Sequence, residues 1–355
     1  MLLIGCRTRR AEIRQLGYTI IELMIAITIS LIILAGLVSI LANNSRTRGE
    51  IERANQQTEN GRYALQLITD DLHNAGYLAE FNPGPLATPA AKPDPCDTTV
   101  AVLKTALPLA VQGYDNGAIV PGCLTDVRAG TDILVVRHAS TCAVGSAGCD
   151  SNVAGDAYFQ TSGCNSATEL ASGNVATYYV LDTNAASFTL HKKDCVTLAN
   201  VYQYRTHIYF VANNDQANDG IPTLKRAELG NNAGNAAFNI VPLVEGIENL
   251  QIEYGLDTGV PTTGSPAVYT TDPDSYVPCA ASPTNCWRNT VAAKINVLAR
   301  NTTTTQGYVD GKVYTLGLQF DGATPNTVGP FNDAYKRHAY ELVVKLNNPA
   351  GRNSP

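Results

Sequence analysis

Residues 16–42 read LGYTIIELMIAITISLIILAGLVSILA, and their reading decides the fold. From residue 23 to residue 42 there is no charged side chain. Wound as a helix at about 1.5 Å per residue, such a run reaches roughly 30 Å, the depth of a bilayer's hydrocarbon core. Core helices of soluble domains carry an apolar stripe, whereas this run is apolar on every face and points to a membrane. Glu22 stands at its mouth. A carboxylate there is costly in hydrocarbon and calls for a partner, although the first turn of a helix favours an acid.

Upstream, Arg7, Arg9, Arg10 and Arg14 stand against Glu12, so residues 1–17 carry +3 of a formal net charge of −6 and the remainder carries −9. A cleavable secretory signal would have a shorter apolar stretch followed by small residues, which this order does not match. Downstream the helical pattern continues. Ile51, Ala54, Thr58, Tyr63, Leu65, Ile68, Leu72 and Ala75 recur at steps of three and four, and no proline occurs between residues 17 and 82. The spacing predicts one helix of roughly fifty residues, apolar all round at first and amphipathic later. Gly61 is a soft spot in it, and Asn74-Ala75-Gly76 reads as its stop.

The acidic remainder argues against sequence-independent nucleic-acid binding, which needs a surplus of Lys and Arg. Beyond the apolar run lie eight cysteines, Cys96, Cys123, Cys142, Cys149, Cys164, Cys195, Cys279 and Cys286. An even number suits an oxidising compartment. Proximity pairs Cys142 with Cys149 and Cys279 with Cys286 across turn-rich intervals, and leaves Cys96–Cys123 and Cys164–Cys195 as the simplest remainder. No CxxC or nearby histidine offers zinc-ligand spacing.

The five prolines of FNPGPLATPAAKPDP (81–95) make a surface connection. Strands are expected at 132–137, 177–182, 187–191, 206–212, 247–254, 292–299, 312–317 and 340–346, several with period-two alternation. No βαβ alternation appears. The expected fold class is α+β, a long helix laid on an antiparallel sheet with disulfide-pinned loops.

Few residues look like a site. NDQANDG (214–220) offers Asp215 and Asp219 as weak Ca²⁺ ligands, but the spacing is not that of an EF-hand and an Asn/Asp turn explains it better. Asp70, Asp71 and His73 read as a solvated helix face, and the other histidines (His138, His191, His207, His338) are scattered. No nucleophile elbow, P-loop or dinucleotide motif is present, so nothing points to an enzyme or a cofactor. Tyr202, Tyr204 and Tyr209 read as cross-strand packing, since base stacking would need more basic company than Arg205.

A basic leader, Gly17, aromatic Tyr18, Glu22 and an uncharged run together resemble the class III signal of type IV prepilins and pseudopilins. RYALQLITDDLHNAGY (62–77), HIYFVANNDQANDGIPTLKRAEL (207–229), LVEGIENLQIEYGLD (243–257) and YKRHAYELVVKLNNPAGR (335–352) narrow the resemblance to the PilW family of minor pilins. The resemblance implies that prepilin peptidase cuts between Gly17 and Tyr18 and methylates the new amino terminus. Tyr18 stands where Phe is more usual. Once Tyr18 is the terminus, its ammonium and the Glu22 carboxylate are i and i+4 on one helix face, and in pilins that carboxylate is thought to meet a neighbouring subunit's amine.

The expected domains are a leader over 1–17, a transmembrane and filament-core segment over 18–42, an amphipathic helix over 43–76 and a β-rich pilin domain over 77–355. The expected partners are prepilin peptidase, other minor and major pilins, the inner-membrane assembly platform and lipid before assembly. The implied protein is a low-abundance pilus subunit that helps prime assembly near the tip, anchored in the inner membrane with its C-terminal part periplasmic and later on the cell surface. The alternatives are a type II secretion pseudopilin and a single-span membrane-anchored enzyme or binding module.

Overall fold

The computed structural model describes residues 17–171, 173–279 and 283–354. The leader expected over 1–17 therefore lies outside the described residues save for Gly17. The chain divides into two compact units after Arg53, and helix α1 (Ile20–Asn74) contributes to both. In the first unit every side chain from Ile20 to Ala42 is exposed. That stretch is long and apolar enough to cross a bilayer.

The second unit is built on antiparallel sheets. A seven-stranded sheet takes β1 (Val111–Tyr114), β2 (Ile133–Ala143), β3 (Tyr158–Thr161), β4 (Tyr179–Asp182), β5 (Val201–Ala212), β6 (Thr223–Asn232) and β7 (Asn235–Glu245) in the order β1-β2-β5-β3-β4, with β6 also paired to β5 and β7 to β6. A four-stranded sheet runs β13-β10-β8-β9, from β8 (Ile247–Leu256), β9 (Val268–Thr270), β10 (Thr290–Arg300) and β13 (Arg337–Lys345). A hairpin of β11 (Tyr314–Leu318) and β12 (Pro325–Val328) forms a separate ladder, tied to β8 by the Leu318 N–H donating to Glu253 and the Asn326 amide donating to Gln251. Short helices α2 (Val100–Ala106), α3 (Pro283–Arg288) and α4 (Asn347–Asn353) complete the unit. The fold is α+β, a long helix with antiparallel sheets.

The second half of α1 packs on both sheets at once. Ala64, Leu65, Ile68 and Leu72 share one core with Leu134, Val136, Tyr209 and Val211 of the larger sheet and with Leu250, Ile252, Ile295, Val297 and Val344 of the smaller. The buried face is Gln57, Gly61, Ala64, Leu65, Ile68, Asp71 and Leu72. Ile51, Ala54, Thr58 and Tyr63, expected on the packed face, are exposed. Gln57 replaces them as an anchor, its side-chain amide donating to the Ala299 and Lys336 carbonyls at 2.9 and 2.7 Å.

Gly61 is not a soft spot but a contact. A β-carbon there would stand 2.3 Å from the Tyr340 ring, so the missing side chain is what lets β13 close on the helix. The helix stops where expected: Gly76 takes φ +71° and donates its N–H to the Arg137 carbonyl of β2.

Three disulfides pin the loops as expected, Cys96–Cys123, Cys142–Cys149 and Cys164–Cys195. Cys286 is also disulfide-bonded, and the side chain of Cys279 lies outside the described residues. The proline-rich connection is more than a surface strap, since Phe81, Pro83, Pro89, Pro93 and Pro95 are buried. The excursion between β10 and β13 is held by Arg337, which donates to Glu248, to Asp310 at 2.9 Å and to Asp333 at 2.7 Å.

The strand expected at 187–191 does not form. Asn184 caps a 3₁₀ turn over Ala185–Ser187, and the Gln160 side chain takes both backbone groups of Leu190. Those backbone groups are satisfied without a ladder. Strands β6 and β7 carried no expectation. Lys225, Arg226 and Glu228 hide the alternation of β6, and its turn, Ala233-Gly234, takes positive φ at both residues, as a two-residue hairpin requires.

Gly61→Ala should cost about 1–3 kcal/mol by overpacking against Tyr340. Denaturant melts of this variant alone and with Tyr340→Ala will show a smaller added cost in the second background; an equal cost in both would separate Gly61 from Tyr340.

Candidate functional site

Two constellations stand out, one in each unit. In the first, Thr19 precedes helix α1 and forms a reciprocal cap with Glu22. The Thr19 backbone N–H and hydroxyl donate to Glu22 Oε2 at 2.9 and 3.0 Å, and the Glu22 N–H donates to Thr19 Oγ1 at 3.2 Å. This is the capping box that T-x-x-E encodes, and the TIIE spacing is where it was legible. Both carboxylate bonds fall on Oε2, which leaves Oε1 for another donor. Gly17 and Tyr18 lie just outside the cap, with the Tyr18 side chain exposed.

In the second unit the helix presents Asp71 to the larger sheet. Asp71 lies three residues after Ile68 and seven after Ala64, on the packed face, so the reading of Asp71 as solvated is corrected. Asp70 and His73 are exposed as expected. Val136 of β2 pairs with His207 of β5, which makes His138 and His207 diagonal neighbours on the face toward the helix. His138 Nε2 lies 2.8 Å from Asp71 Oδ1, and His207 Nδ1 lies 2.9 Å from Asp71 Oδ2. His138 Nδ1 faces the Ala139 carbonyl at 2.8 Å. All three residues are buried.

Burial by itself would raise the Asp71 pKa. The attraction of His207 and the hydrogen bonds from both imidazoles overcome it and hold the carboxyl below the usual carboxylate range. Burial, then the Asp71 charge, pushes the Tyr209 phenol up, and Arg226 donates to that phenol at 3.1 Å. The ligand types would suit a metal, and their atoms lie within 4.8 Å of one another. The separations are nevertheless those of hydrogen bonds, and both carboxylate oxygens are taken. The arrangement is a clamp between helix and sheet. The histidines are far apart in sequence, so only the position of Asp71 on the packed helix face could have signalled it.

The remaining expected residues are not brought together. Asp219 accepts the backbone N–H groups of Asp215, Gln216 and Ile221, and Asn218 and Gly220 take positive φ. The loop is built as an Asx-type turn. Tyr202, Tyr204 and Tyr209 are buried in the larger sheet.

Two family models match the chain. One, Type IV Pilus-assembly protein W, covers residues 208–348, and the other, the prokaryotic N-terminal methylation motif, covers residues 13–38. The second spans Gly17, Tyr18 and Glu22, whereas Asp71, His138 and His207 fall outside both. No curated protein matches. Among solved structures, a type IV-like pilin from Thermus thermophilus is similar over 82% of this chain and 97% of its own, at 11% identity and a TM-score of 0.33.

Asp71→Ala leaves two buried imidazole N–H groups without their acceptor and should cost on the order of 3–5 kcal/mol. The folded Asp71 pKa lies below the unfolded value of about 4, so its contribution is complete above that pH and is lost as the pH falls. The stability gap between wild type and variant, measured by denaturant melts, should therefore narrow below about pH 4. Asp132, whose carboxyl burial and Asp115 push up, acts in the opposite sense in both proteins and cancels from the gap. A gap constant down to pH 2 would contradict an ionised Asp71.

Proposed function

We propose that this minor pilin of type IV pili, which carries a PilW domain and a prepilin N-methylation motif, enters the filament through α1 and helps prime assembly near the tip. The observation that carries the reading is the start of α1, where a capped Glu22 stands between Gly17-Tyr18 and an uncharged run exposed along its whole length. Prepilin peptidase cuts after Gly17 and methylates Tyr18. Residues 1–17 then form the leader, 18–42 the membrane and filament-core segment, 43–76 the amphipathic helix and 77–355 the pilin domain.

Before assembly the apolar segment sits in the inner membrane, with the basic leader on the cytoplasmic side and the disulfide-bearing part periplasmic. Moving into a core of similar helices, it exchanges lipid for side chains and never meets water. Thr19 holds the Glu22 carboxylate by one oxygen. The other oxygen is free to accept the amino terminus of a neighbouring pilin at the assembly platform, an ion pair that low-dielectric surroundings strengthen. The role is one of structure and assembly.

Mass spectrometry of the mature protein should give Tyr18 as a methylated N-terminus, and Gly17→Leu should retain the leader. An unprocessed wild type would overturn the reading. Glu22→Ala should be cut normally yet reach filaments at least about tenfold less, roughly 1.4 kcal/mol of selection. Normal incorporation of that variant would remove the role given to the carboxylate.

A further inference from the structure

Where α4 meets the chain leaving α1, a cavity of about 100 Å³ opens between the two segments and α3. Asn82, Pro83 and Gly84 form one side, and Arg288, Arg352 and Asn353 face them. Arg352 donates to the Gly76 carbonyl at 3.0 Å. Arg288 donates to the Leu86 carbonyl at 2.8 Å, to Thr88 Oγ1 at 2.9 Å and to the Gly84 carbonyl. Every one of these acceptors is neutral. Among the described residues neither guanidinium meets a carboxylate, although the protein elsewhere gives Arg337 three.

Asn353 adds a buried side-chain N–H group with no acceptor. Burial lowers the Arg352 pKa, and the like charge of Arg288 lowers it further, to about 10. Two half-buried guanidinium groups border one void, and among the described residues no carboxylate stands between them. The guanidinium fork matches the paired oxygens of a carboxylate or phosphate. The cavity is small, about 100 Å³, and has room for one such group.

We propose that this cavity binds one compact oxyanion, of phosphate or carboxylate type, held by Arg352 and Arg288. The oxyanion can come free from solution or on an acidic side chain of an adjacent pilin, and both present the same oxygens. The binding does not depend on the pilus reading and is measured apart from it.

The test uses the mature full-length protein in non-ionic detergent, melted against inorganic phosphate and against acetate at constant ionic strength in sodium chloride. One of the two should raise the melting temperature saturably, by about 5 °C at a hundredfold excess over its Kd. Arg352→Gln and Arg288→Gln should each weaken that anion at least tenfold, each shift being read against the variant's own melting temperature in chloride, because both side chains also hold backbone carbonyls. No rise in either anion, or an equal rise in the variants, overturns the site. Once binding is lost, pilus incorporation identifies the source: reduced incorporation of correctly processed Arg352→Gln assigns a neighbour's carboxylate, and unchanged incorporation assigns a free anion.

Discussion

The fold depends on a carboxylate held in the core. Asp71 is the one buried acid on a helix face otherwise made of small and apolar groups and Gln57. An ionised carboxylate taken out of water costs several kcal/mol unless each oxygen is hydrogen-bonded, and His138 and His207 supply those bonds from adjacent strands. The arrangement also fixes register. A helix slid by one turn would move Asp71 about 5.4 Å away from both imidazoles, and a rotated one would exchange it for an apolar residue. The two Gln57 bonds, to Ala299 of β10 and to Lys336 just before β13, fix a second point along the same helix face. With both points held, the bare backbone at Gly61 lies where the Tyr340 ring needs it.

The same chemistry recurs where the larger loops are tied down. Arg337 draws Glu248, Asp310 and Asp333 together and so secures the long excursion between β10 and β13. Disulfides do that work in the loops before β5, where they limit the freedom of the unfolded chain. Covalent and ionic ties share one task, the ordering of irregular chain that has little apolar surface to bury.

The two halves of α1 obey opposite rules. In the second half Ala64, Leu65, Ile68 and Leu72 are buried against the sheets, while Tyr63 stays exposed. The run from Ile20 to Ala42 exposes its apolar side chains throughout, which no soluble monomer sustains over such a length. Apolar surroundings from outside the chain are what such a run lacks, and the membrane and filament core proposed above would supply them. The reciprocal Thr19–Glu22 cap meanwhile satisfies the backbone at the helix start without using up the acid.

What the sequence determined by itself is what short-range rules govern. Hydrocarbon length, a basic N-terminal stretch and a glycine–aromatic–glutamate spacing pointed to the N-terminal methylation motif that the family model matches, and nearest-neighbour pairing anticipated the three described disulfides. The helix stop at Gly76 was legible because only a residue at ease with positive φ fits there. Tertiary structure alone decided the rest. The phase of the amphipathic half turned on where two sheets lie, so Tyr63 went outward and Asp71 inward. The imidazoles that make Asp71 tolerable come from strands 67 and 136 residues away along the chain. The strand expected at 187–191 was lost to a glutamine side chain from β3. A residue's worth in a core depends on what the fold brings against it, and no local pattern records that.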